Sequence, residues 1–310
     1  MGDPAGVGPE IILKSLPILC RKAHVVVVGD YWVFEKMVKK LKSTLPRNNL
    51  EFNDLSKVKK EGFVFGNSRP QDGEASFHYL KHAVELWKNN QIHAIVTAPL
   101  SKESVRSAGF HNFTGHTECL AESSGAKQVL MMLLNKHLKF SLLTRHIRLN
   151  SVASAINKEE LESNIILTLK ALRERFGYKA PRLVVLGLNP HASDNGIIGE
   201  EENKIIKPVI NKLNKIFKNI YGPLPADVGI RAAFDKKFDV VVALYHDQAL
   251  IPLKLTSFDS GVNFTYGLPF VRTSPLHGTA FDIAGKGMAN HASFLAAADT
   301  ALKMLTRNAK

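Results

Sequence analysis

Three histidines stand at equivalent places in the sequence, each a few residues beyond an apolar run of the kind found in buried β-strands. They are His146, His191 and His246. Ligands in parallel α/β sheets bind outside the carboxyl ends of the strands, so imidazoles placed there converge although they are distant in sequence. Three protein ligands that leave one position open are typical of a catalytic metal site, and imidazole is the commonest ligand. The spacing therefore predicts such a site, although for each histidine alone a structural, hydrogen-bonded residue is the alternative.

Two carboxylates accompany these histidines. Asp247 directly follows His246, and Asp227 lies in the Pro-rich segment 222–227, which we predict to be a loop. A carboxylate in this setting binds the metal itself or orients a ligating imidazole through a hydrogen bond. The alternative for both is a turn aspartate that bonds to its own backbone.

The stretch from Val240 to Gly287 also carries Lys254, Asn263 and Arg272, each in a segment rich in Gly, Pro or Ser. Such segments predict loops. Lysine presents a point charge and arginine a bidentate fork of donors, so these two are candidates to bind a phosphate or a carboxylate. A solvent-exposed arginine without a ligand is the alternative for Arg272.

Two segments rich in small residues are candidates to lie against a ligand. Residues 277–287 read His-Gly-Thr-Ala-Phe-Asp-Ile-Ala-Gly-Lys-Gly, where small residues let the backbone approach an adenine or a ribose and Asp282 can accept from hydroxyls. A turn with a capped helix is the alternative. Residues 2–10 contain three glycines and then a proline that suits the first turn of a helix. They lack the Gly-x-Gly-x-x-Gly pattern, and we expect their preceding strand to lie upstream of Met1 or to be missing.

Alternating strand and helix patterns must position these groups. The apolar periodicity predicts a mostly parallel sheet with helices on its faces. We predict strands at 24–30, 62–65, 92–96, 128–134, 139–144, 182–188 and from 240, and helices at 31–41, 74–88, 158–176, 200–217 and 292–305.

Length and composition narrow the class of protein. A chain of 310 residues with 45% hydrophobic residues favours two lobes or one large α/β domain. No apolar run approaches the roughly 18 residues that cross a bilayer, and no basic start precedes an apolar stretch. Two cysteines are too few for a disulfide framework, so we expect a cytoplasmic protein without a membrane partner.

The net charge of +13 raises the alternative of a basic nucleic-acid-binding protein. The lysines are scattered over several predicted helices, which is typical of solvated outer faces. No nucleic-acid-binding module is recognisable, and we expect no nucleic-acid partner.

Several motifs together resemble a known enzyme family. Residues 277–287 resemble the cofactor loop of isocitrate and isopropylmalate dehydrogenases, and residues 2–10 resemble their opening glycine loop. The more specific motifs are Phe113-Thr114-Gly115-His116-Thr117-Glu118, Leu188-Asn189-Pro190-His191-Ala192, Gly222-Pro223-Leu224-Pro225-Ala226-Asp227, Tyr245-His246-Asp247-Gln248 and Gly267-Leu268-Pro269-Phe270-Val271-Arg272-Thr273-Ser274. Jointly they resemble the 4-hydroxythreonine-4-phosphate dehydrogenases of pyridoxal phosphate biosynthesis, over essentially the whole chain.

The resemblance implies an α/β fold of two α/β/α lobes, of the isocitrate/isopropylmalate dehydrogenase type, with the active site in the cleft between the lobes and at a dimer interface. It implies a cofactor-side lobe of residues 1–109 plus 268–310 and a metal, substrate and dimerisation lobe of residues 110–267. The implied reaction is oxidation of the C3 hydroxyl of 4-phosphooxy-L-threonine with NAD or NADP, followed by decarboxylation.

The resemblance also implies roles for individual residues. One divalent ion, zinc, magnesium or cobalt, is expected on His146, His191 and His246, contributed by both subunits of a homodimer. Substrate-binding positions are His116, Thr117, Lys254, Asn263 and Arg272. Cofactor-binding positions are His277, Gly278, Thr279, Ala280, Asp282 and Gly285. Asp247 is a further catalytic candidate, and the general base stays open between a metal-bound water, His116 and Lys102.

A close alternative has the same fold and another substrate. Paralogues that share these motifs degrade related four-carbon acids such as 4-phospho-threonate and 4-phospho-erythronate. Their metal, cofactor and phosphate residues look alike, so the motifs do not choose between these substrates.

Overall fold

The computed structural model describes residues 1–308 as an α/β protein, as the sequence predicts. Its strands are β1 (Val25–Gly29), β2 (Leu50–Asp54), β3 (Ala94–Val96), β4 (Leu130–Leu134), β5 (Lys139–Leu142), β6 (Leu183–Leu186), β7 (Ile220–Leu224), β8 (Val240–Ala243), β9 (Val262–Tyr266) and β10 (Val271–Pro275).

Its helices are α1 (Gly8–Leu19), α2 (Tyr31–Lys40), α3 (Pro70–Lys88), α4 (Lys102–Ser107), α5 (His116–Ser124), α6 (Val152–Ala155), α7 (Lys158–Phe176), α8 (Lys207–Phe217), α9 (Ala226–Phe234), α10 (His246–Thr256) and α11 (Ala292–Asn308). A π-helical turn, Glu202–Ile206, leads directly into α8. None of the helices within residues 1–308 is long and apolar enough to cross a membrane.

The chain forms two compact units. Unit 1 comprises Met1–Val129 and Leu268–Leu305, and unit 2 comprises Leu130–Gly267 with the chain end from Thr306. The expected division between 267 and 268 coincides with this one. The expected division between 109 and 110 differs, because Phe113 and Leu120 are buried in the same apolar cluster as residues of α3.

Unit 1 contains two parallel strand pairs, β1 with β2 and β3 with β10. Four consecutive valines form β1, as expected for β-branched residues, and the buried Asp30 follows it. Asp30 accepts hydrogen bonds from the Tyr79 hydroxyl and from the backbone N–H of Val58, which compensates the burial of its carboxylate. A cavity of about 440 Å³ lies against β1 and β3 and is lined mainly by apolar side chains.

Unit 2 contains six strands in the order β9-β4-β5-β8-β6-β7. The strand β4 is antiparallel to both of its neighbours, whereas β5, β8, β6 and β7 run parallel, so this sheet is mixed, with three parallel and two antiparallel pairings. Every residue of β6 and β8 is buried, which explains their unbroken apolar sequence. The strands β5, β8 and β6 are adjacent and end at the same edge of the sheet.

Residues 62–65 and 222–227 do not have the predicted structure. Residues 62–65 make only an isolated bridge between Val64 and Asn67, and β2 takes the place beside β1. The segment 222–227 is not a loop, because it completes β7 and begins α9. Its breakers are compatible with a strand since β7 lies at the sheet edge, where Pro223 leaves no ladder hydrogen bond unmade.

Candidate active site

His246 is the first residue of α10 and lies directly beyond β8. Its Nδ1 atom donates a hydrogen bond of 2.8 Å to Oδ1 of Asp247, and its ring centroid lies 5.6 Å from that of His146. A carboxylate bonded to one ring nitrogen fixes the tautomer and leaves the other nitrogen available to a metal. The pair of imidazoles is therefore suited to contribute two metal ligands, with Asp247 as the group that orients one of them.

His191 lies beyond β6 in a turn of unusual conformation. Five consecutive residues have positive φ, namely His191 (54°), Ala192 (53°), Ser193 (70°), Asp194 (44°) and Asn195 (59°). Left-handed backbone costs an L-residue about 1–2 kcal/mol. We refer to residues 191–195 as the left-handed turn. Strain of this kind persists only where the surroundings enforce it, and it concentrates at functional sites.

The three histidines do not meet within one chain. No group of three or more His, Cys, Asp or Glu side chains within residues 1–308 is arranged to hold a metal ion. His146 and His246 could contribute two ligands to a metal site, and within residues 1–308 no third His, Cys, Asp or Glu completes such a group with them. Asp227 is exposed in the first turn of α9 and does not form part of such a group.

Gln248 joins the ends of two of the histidine-bearing strands. It is buried, its Oε1 accepts from the backbone N–H of Leu244 at 2.7 Å, and its Nε2 donates to the carbonyl of Gly187 at 2.9 Å. No role was predicted for this residue from the sequence. The sequence signals are its place in the Tyr245-His246-Asp247-Gln248 motif and its position two residues after His246.

Arg272 belongs to unit 1 and was wrongly predicted to lie in a loop. It is the second residue of β10, because the Gly-Leu-Pro breakers fall between β9 and β10 rather than inside either strand. Its side chain is 2% exposed, and Nη2 donates to Oγ1 of Thr97 at 2.8 Å. Burial lowers the pKa of the guanidinium to about 10, with Glu118 opposing the shift, so the buried group keeps its charge at neutral pH.

His116 begins α5, and Lys102 begins α4 in the same unit. A Cβ atom at the intervening Gly115, whose φ is 154°, would lie 3.2 Å from Cε of Lys102. Burial lowers the pKa of His116 well below 6.5, the positive charges of Arg272 and Lys102 lower it further, and a hydrogen bond to the carbonyl of Ala98 opposes them. The imidazole is therefore neutral at pH 7 and able to accept a proton. The buried Thr117 follows it.

Lys254 and Asn263 in unit 2 were also predicted to lie in loops, and neither does. Lys254 is in the last turn of α10, with Nζ 5.3 Å from the ring centroid of Phe258. Asn263 is in β9, and within residues 1–308 its buried Oδ1 has no hydrogen-bond partner. A buried acceptor without a partner is rare in folded proteins, and it fits a donor group supplied by a ligand.

The two segments rich in small residues contact each other in unit 1. Val7 donates its backbone N–H to the carbonyl of Thr279 at 2.9 Å, and a Cβ at Gly6 would lie 3.1 Å from the same oxygen. Only a glycine allows this approach without a shift of the neighbouring backbone. Within residues 1–308, a Cβ at Gly278 would meet nothing within 4 Å, so this backbone stays open to a ligand.

The remaining positions of the 277–285 turn include a buried ring nitrogen, an exposed carboxylate and two residues with positive φ. Nε2 of His277 is buried and has no hydrogen-bond partner within residues 1–308, whereas the side chain of Asp282 is exposed. Ala280 and Gly285 have φ of 42° and 71°. A Cβ at Gly285 would lie 2.8 Å from Cβ of Phe65, which explains the glycine there.

A buried carboxylate that the sequence analysis missed fastens the end of this turn. Glu10 of α1 is fully buried and accepts from the backbone N–H groups of Ala289 at 2.8 Å and Gly287 at 3.2 Å. Lys14, one helical turn later, bonds to Glu10 and donates to the carbonyl oxygens of both residues. The i, i+4 spacing of Glu10 and Lys14 is the only sequence signal for this arrangement.

Comparison with protein families gives a match over most of the chain. Residues 21–301 match the family described as pyridoxal phosphate biosynthetic protein PdxA. A 4-hydroxythreonine-4-phosphate dehydrogenase from Sulfurihydrogenibium sp. is 42% identical over 313 residues, covering 97% of this chain and 96% of that protein.

Two further relatives match at nearly full length. A D-threonate 4-phosphate dehydrogenase from Cupriavidus necator is 39% identical over 325 residues, covering 100% of this chain and 97% of that protein. The crystal structure of 4-hydroxythreonine-4-phosphate dehydrogenase from Klebsiella pneumoniae superposes with a TM-score of 0.87 at 36% identity, covering 98% of this chain and 96% of that one. Overall similarity thus extends to enzymes with two different substrates.

Proposed function

The chain belongs to the PdxA family of pyridoxal phosphate biosynthetic proteins, and on this premise we propose that it is an NAD(P)-dependent, divalent-metal-dependent 4-hydroxythreonine-4-phosphate dehydrogenase. It oxidises the C3 hydroxyl of 4-phosphooxy-L-threonine, with the hydride passing to the nicotinamide and the proton to a base. The product, 2-amino-3-oxo-4-phosphooxybutanoate, is a β-keto acid and loses carbon dioxide to give 3-amino-2-oxopropyl phosphate. The similarity over nearly the whole chain to an enzyme of that name supports this function most directly.

His116 is the residue best suited to take the hydroxyl proton. Its imidazole is neutral at pH 7 and can accept a proton, and the positive charge of Lys102 favours the same neutral form. We assign the base to His116 and an electrostatic role to Lys102.

Cationic and amide groups would hold the substrate. The buried charge of Arg272 and the ammonium of Lys254 suit the phosphate and the carboxylate. Oδ1 of Asn263 suits a donor such as the substrate ammonium, because this oxygen is buried without a partner within residues 1–308. Fixing the substrate at both ends orients the reacting carbon.

His146 and His246 would supply two ligands to the metal, and His191 of a second copy would supply the third. A divalent cation held there would lower the pKa of the substrate hydroxyl and would polarise the resulting carbonyl. The Nδ1 hydrogen bond of His246 to Asp247 supports this arrangement, because it directs Nε2 away from the carboxylate. The residues present do not distinguish zinc, magnesium and cobalt.

Exposed apolar side chains that follow these histidines in the sequence support a homodimer. Leu149 is 73% exposed, Ile197 81% and Leu255 82%, and they follow His146, the left-handed turn and His246 respectively. Contacts between protein chains bury exposed apolar side chains of this size. A second copy of the chain that covers this surface would bring its own histidines to it.

The relative named as a D-threonate 4-phosphate dehydrogenase keeps a second substrate open. We expect the purified protein with Mg²⁺, Zn²⁺ or Co²⁺ to reduce NAD or NADP with 4-phosphooxy-L-threonine and to turn over D-threonate 4-phosphate and 4-phospho-erythronate far more slowly. Equal or faster turnover of either acid would refute the assigned substrate, and reduction with none of the three would refute the dehydrogenase.

A further inference from the structure

The left-handed turn that carries His191 is fastened at its start by a buried carboxylate. Glu202, the first residue of the π-helical turn before α8, is fully buried. Its Oε1 accepts from the backbone N–H groups of Leu188 and Asn189, each at 2.8 Å, and its Oε2 accepts from Nδ2 of Asn189 at 2.9 Å. Both oxygens are thus directed at the residues that lead into the turn.

The next residue fastens the other end. Nδ2 of Asn203 donates to the carbonyl of Asn195, the last residue of the turn, at 3.0 Å. Between the two ends, a Cβ atom at Gly187 would lie 2.8 Å from Cα of Ala192, so a larger residue there would displace the turn. Contacts on both ends and on one side hold a backbone conformation that L-residues disfavour.

We propose that Glu202 and Asn203 are positioning residues for metal binding, because they hold the left-handed turn in the conformation that presents the His191 imidazole. This rests on the proposed function of His191 as a metal ligand. A ligand that is ordered before the metal arrives loses less conformational freedom on binding, which strengthens the affinity. The conformation of the left-handed turn therefore orients His191 for the metal. Glu202 and Asn203 contribute to metal affinity without touching the metal.

The test is equilibrium titration of the full-length protein with Co²⁺. We expect Glu202→Gln to weaken Co²⁺ binding by about 10–100-fold, as removal of supporting hydrogen bonds does at other metal sites. In this variant the side-chain amide places an NH₂ group where Glu202 has a second acceptor oxygen, so one of the donors of Leu188 and Asn189 loses its acceptor. Asn203→Ala should also weaken binding, but less, because the hydrogen bond that Asn203 makes to the turn is at the exposed far end. The matched control is Glu200→Gln, since Glu200 is exposed and pairs with Lys204 four residues later.

Thermal unfolding of each metal-free variant separates positioning from simple stabilisation. Unchanged Co²⁺ affinity in folded Glu202→Gln and Asn203→Ala, whatever their melting temperatures, would overturn the inference. If Glu202→Gln does not fold, the surface variant Asn203→Ala decides alone. If His191→Ala loses Co²⁺ affinity but Glu202→Gln and Asn203→Ala keep it, the role of His191 as a metal ligand is retained and only the positioning role of Glu202 and Asn203 is refuted. A wild-type protein that binds no Co²⁺ would refute both.

Discussion

Nη2 of Arg272 donates a 2.8 Å hydrogen bond to Oγ1 of Thr97, and it does so where the arginine is almost fully buried. The two residues are on β10 and immediately beyond β3, two paired strands of unit 1. The hydroxyl therefore helps to fix the direction of a charge that water does not solvate.

Replacing Thr97 by valine keeps the shape and removes this acceptor. We expect a loss of about 1–3 kcal/mol in the free energy of unfolding, because a buried donor loses its partner, together with a higher KM for the phosphorylated substrate. Urea denaturation and steady-state kinetics measure the two effects. Thr300→Val is the matched control, since that hydroxyl bonds to the carbonyl of Ala296 in its own helix. Equal small effects in both variants would contradict the role of Thr97.

The pH dependence should follow His116. Its pKa in the folded protein is well below the 6.5 of the unfolded chain, chiefly through burial. As the pH falls, the unfolded state therefore binds the proton first. The contribution of His116 to the free energy of unfolding is present above pH 6.5 and is lost as the pH falls through the pKa of the folded state. For the same reason we expect the acid limb of kcat/KM to lie well below pH 6.5.

Two substitutions check this assignment. His116→Asn should abolish the acid limb along with most of the activity. Lys102→Met removes a positive charge that lowers the His116 pKa, so it should move the limb toward neutral pH. If the acid limb of kcat/KM does not move in Lys102→Met, the charge of Lys102 does not act on the titrating base, and the assignment of His116 as that base is contradicted.

His191 should be required for metal binding and hardly at all for folding. A catalytic metal site is open and does not hold the fold together, so His191→Ala should lose bound metal and activity while unfolding free energy changes by about 1 kcal/mol or less. His191→Asn is a useful companion, because asparagine tolerates positive φ better than alanine. Metal analysis and urea denaturation give the readouts, with the exposed His24→Ala as control. Active, metal-free His191→Asn would exclude the ligand role.

Glu10 should affect the cofactor more than the substrate. Glu10→Gln keeps one acceptor for the backbone of Ala289 but weakens the contacts to Gly287 and Lys14. We expect KM for NAD(P) to rise on the order of tenfold, equivalent to the loss of one hydrogen bond to a charged group. Lys22→Met, which breaks a surface pair with Asp299, should leave it unchanged. A larger rise in the KM for substrate would contradict the assigned place of the cofactor.

The sequence was sufficient to predict many of the alternating strands and helices and the shared placement of the three histidines, whereas β2, β9 and β10 were missed. Apolar runs and amphipathic periodicity are local properties, and helix α7 was predicted at its observed bounds. The histidines follow β5, β6 and β8, which pair side by side in the structure. Their role as metal ligands stays a prediction.

What the sequence could not provide was the partner of each polar group. Breakers around Arg272 and Asn263 indicated loops because a glycine or proline marks a change of direction without showing where the strand resumes. Glu202 and Gln248 look like ordinary polar residues of a helix, and only their burial against distant backbone groups reveals what they hold. Such contacts depend on tertiary structure, which periodicity does not encode.

The order β5-β8-β6 also bears on how the protein folds. Of these three strands, β8 is synthesised last, yet it lies between β5 and β6. Thr144 donates its hydroxyl to the carbonyl of Leu244, 100 positions later in the chain. Contacts of such long sequence separation close large loops and form slowly. We therefore expect the sheet edge formed by the carboxyl ends of β5, β8 and β6, which carries the histidines, to form late in folding. A nascent chain that ends before Val240 contains His146 and His191, but it lacks β8, the strand that joins β5 to β6.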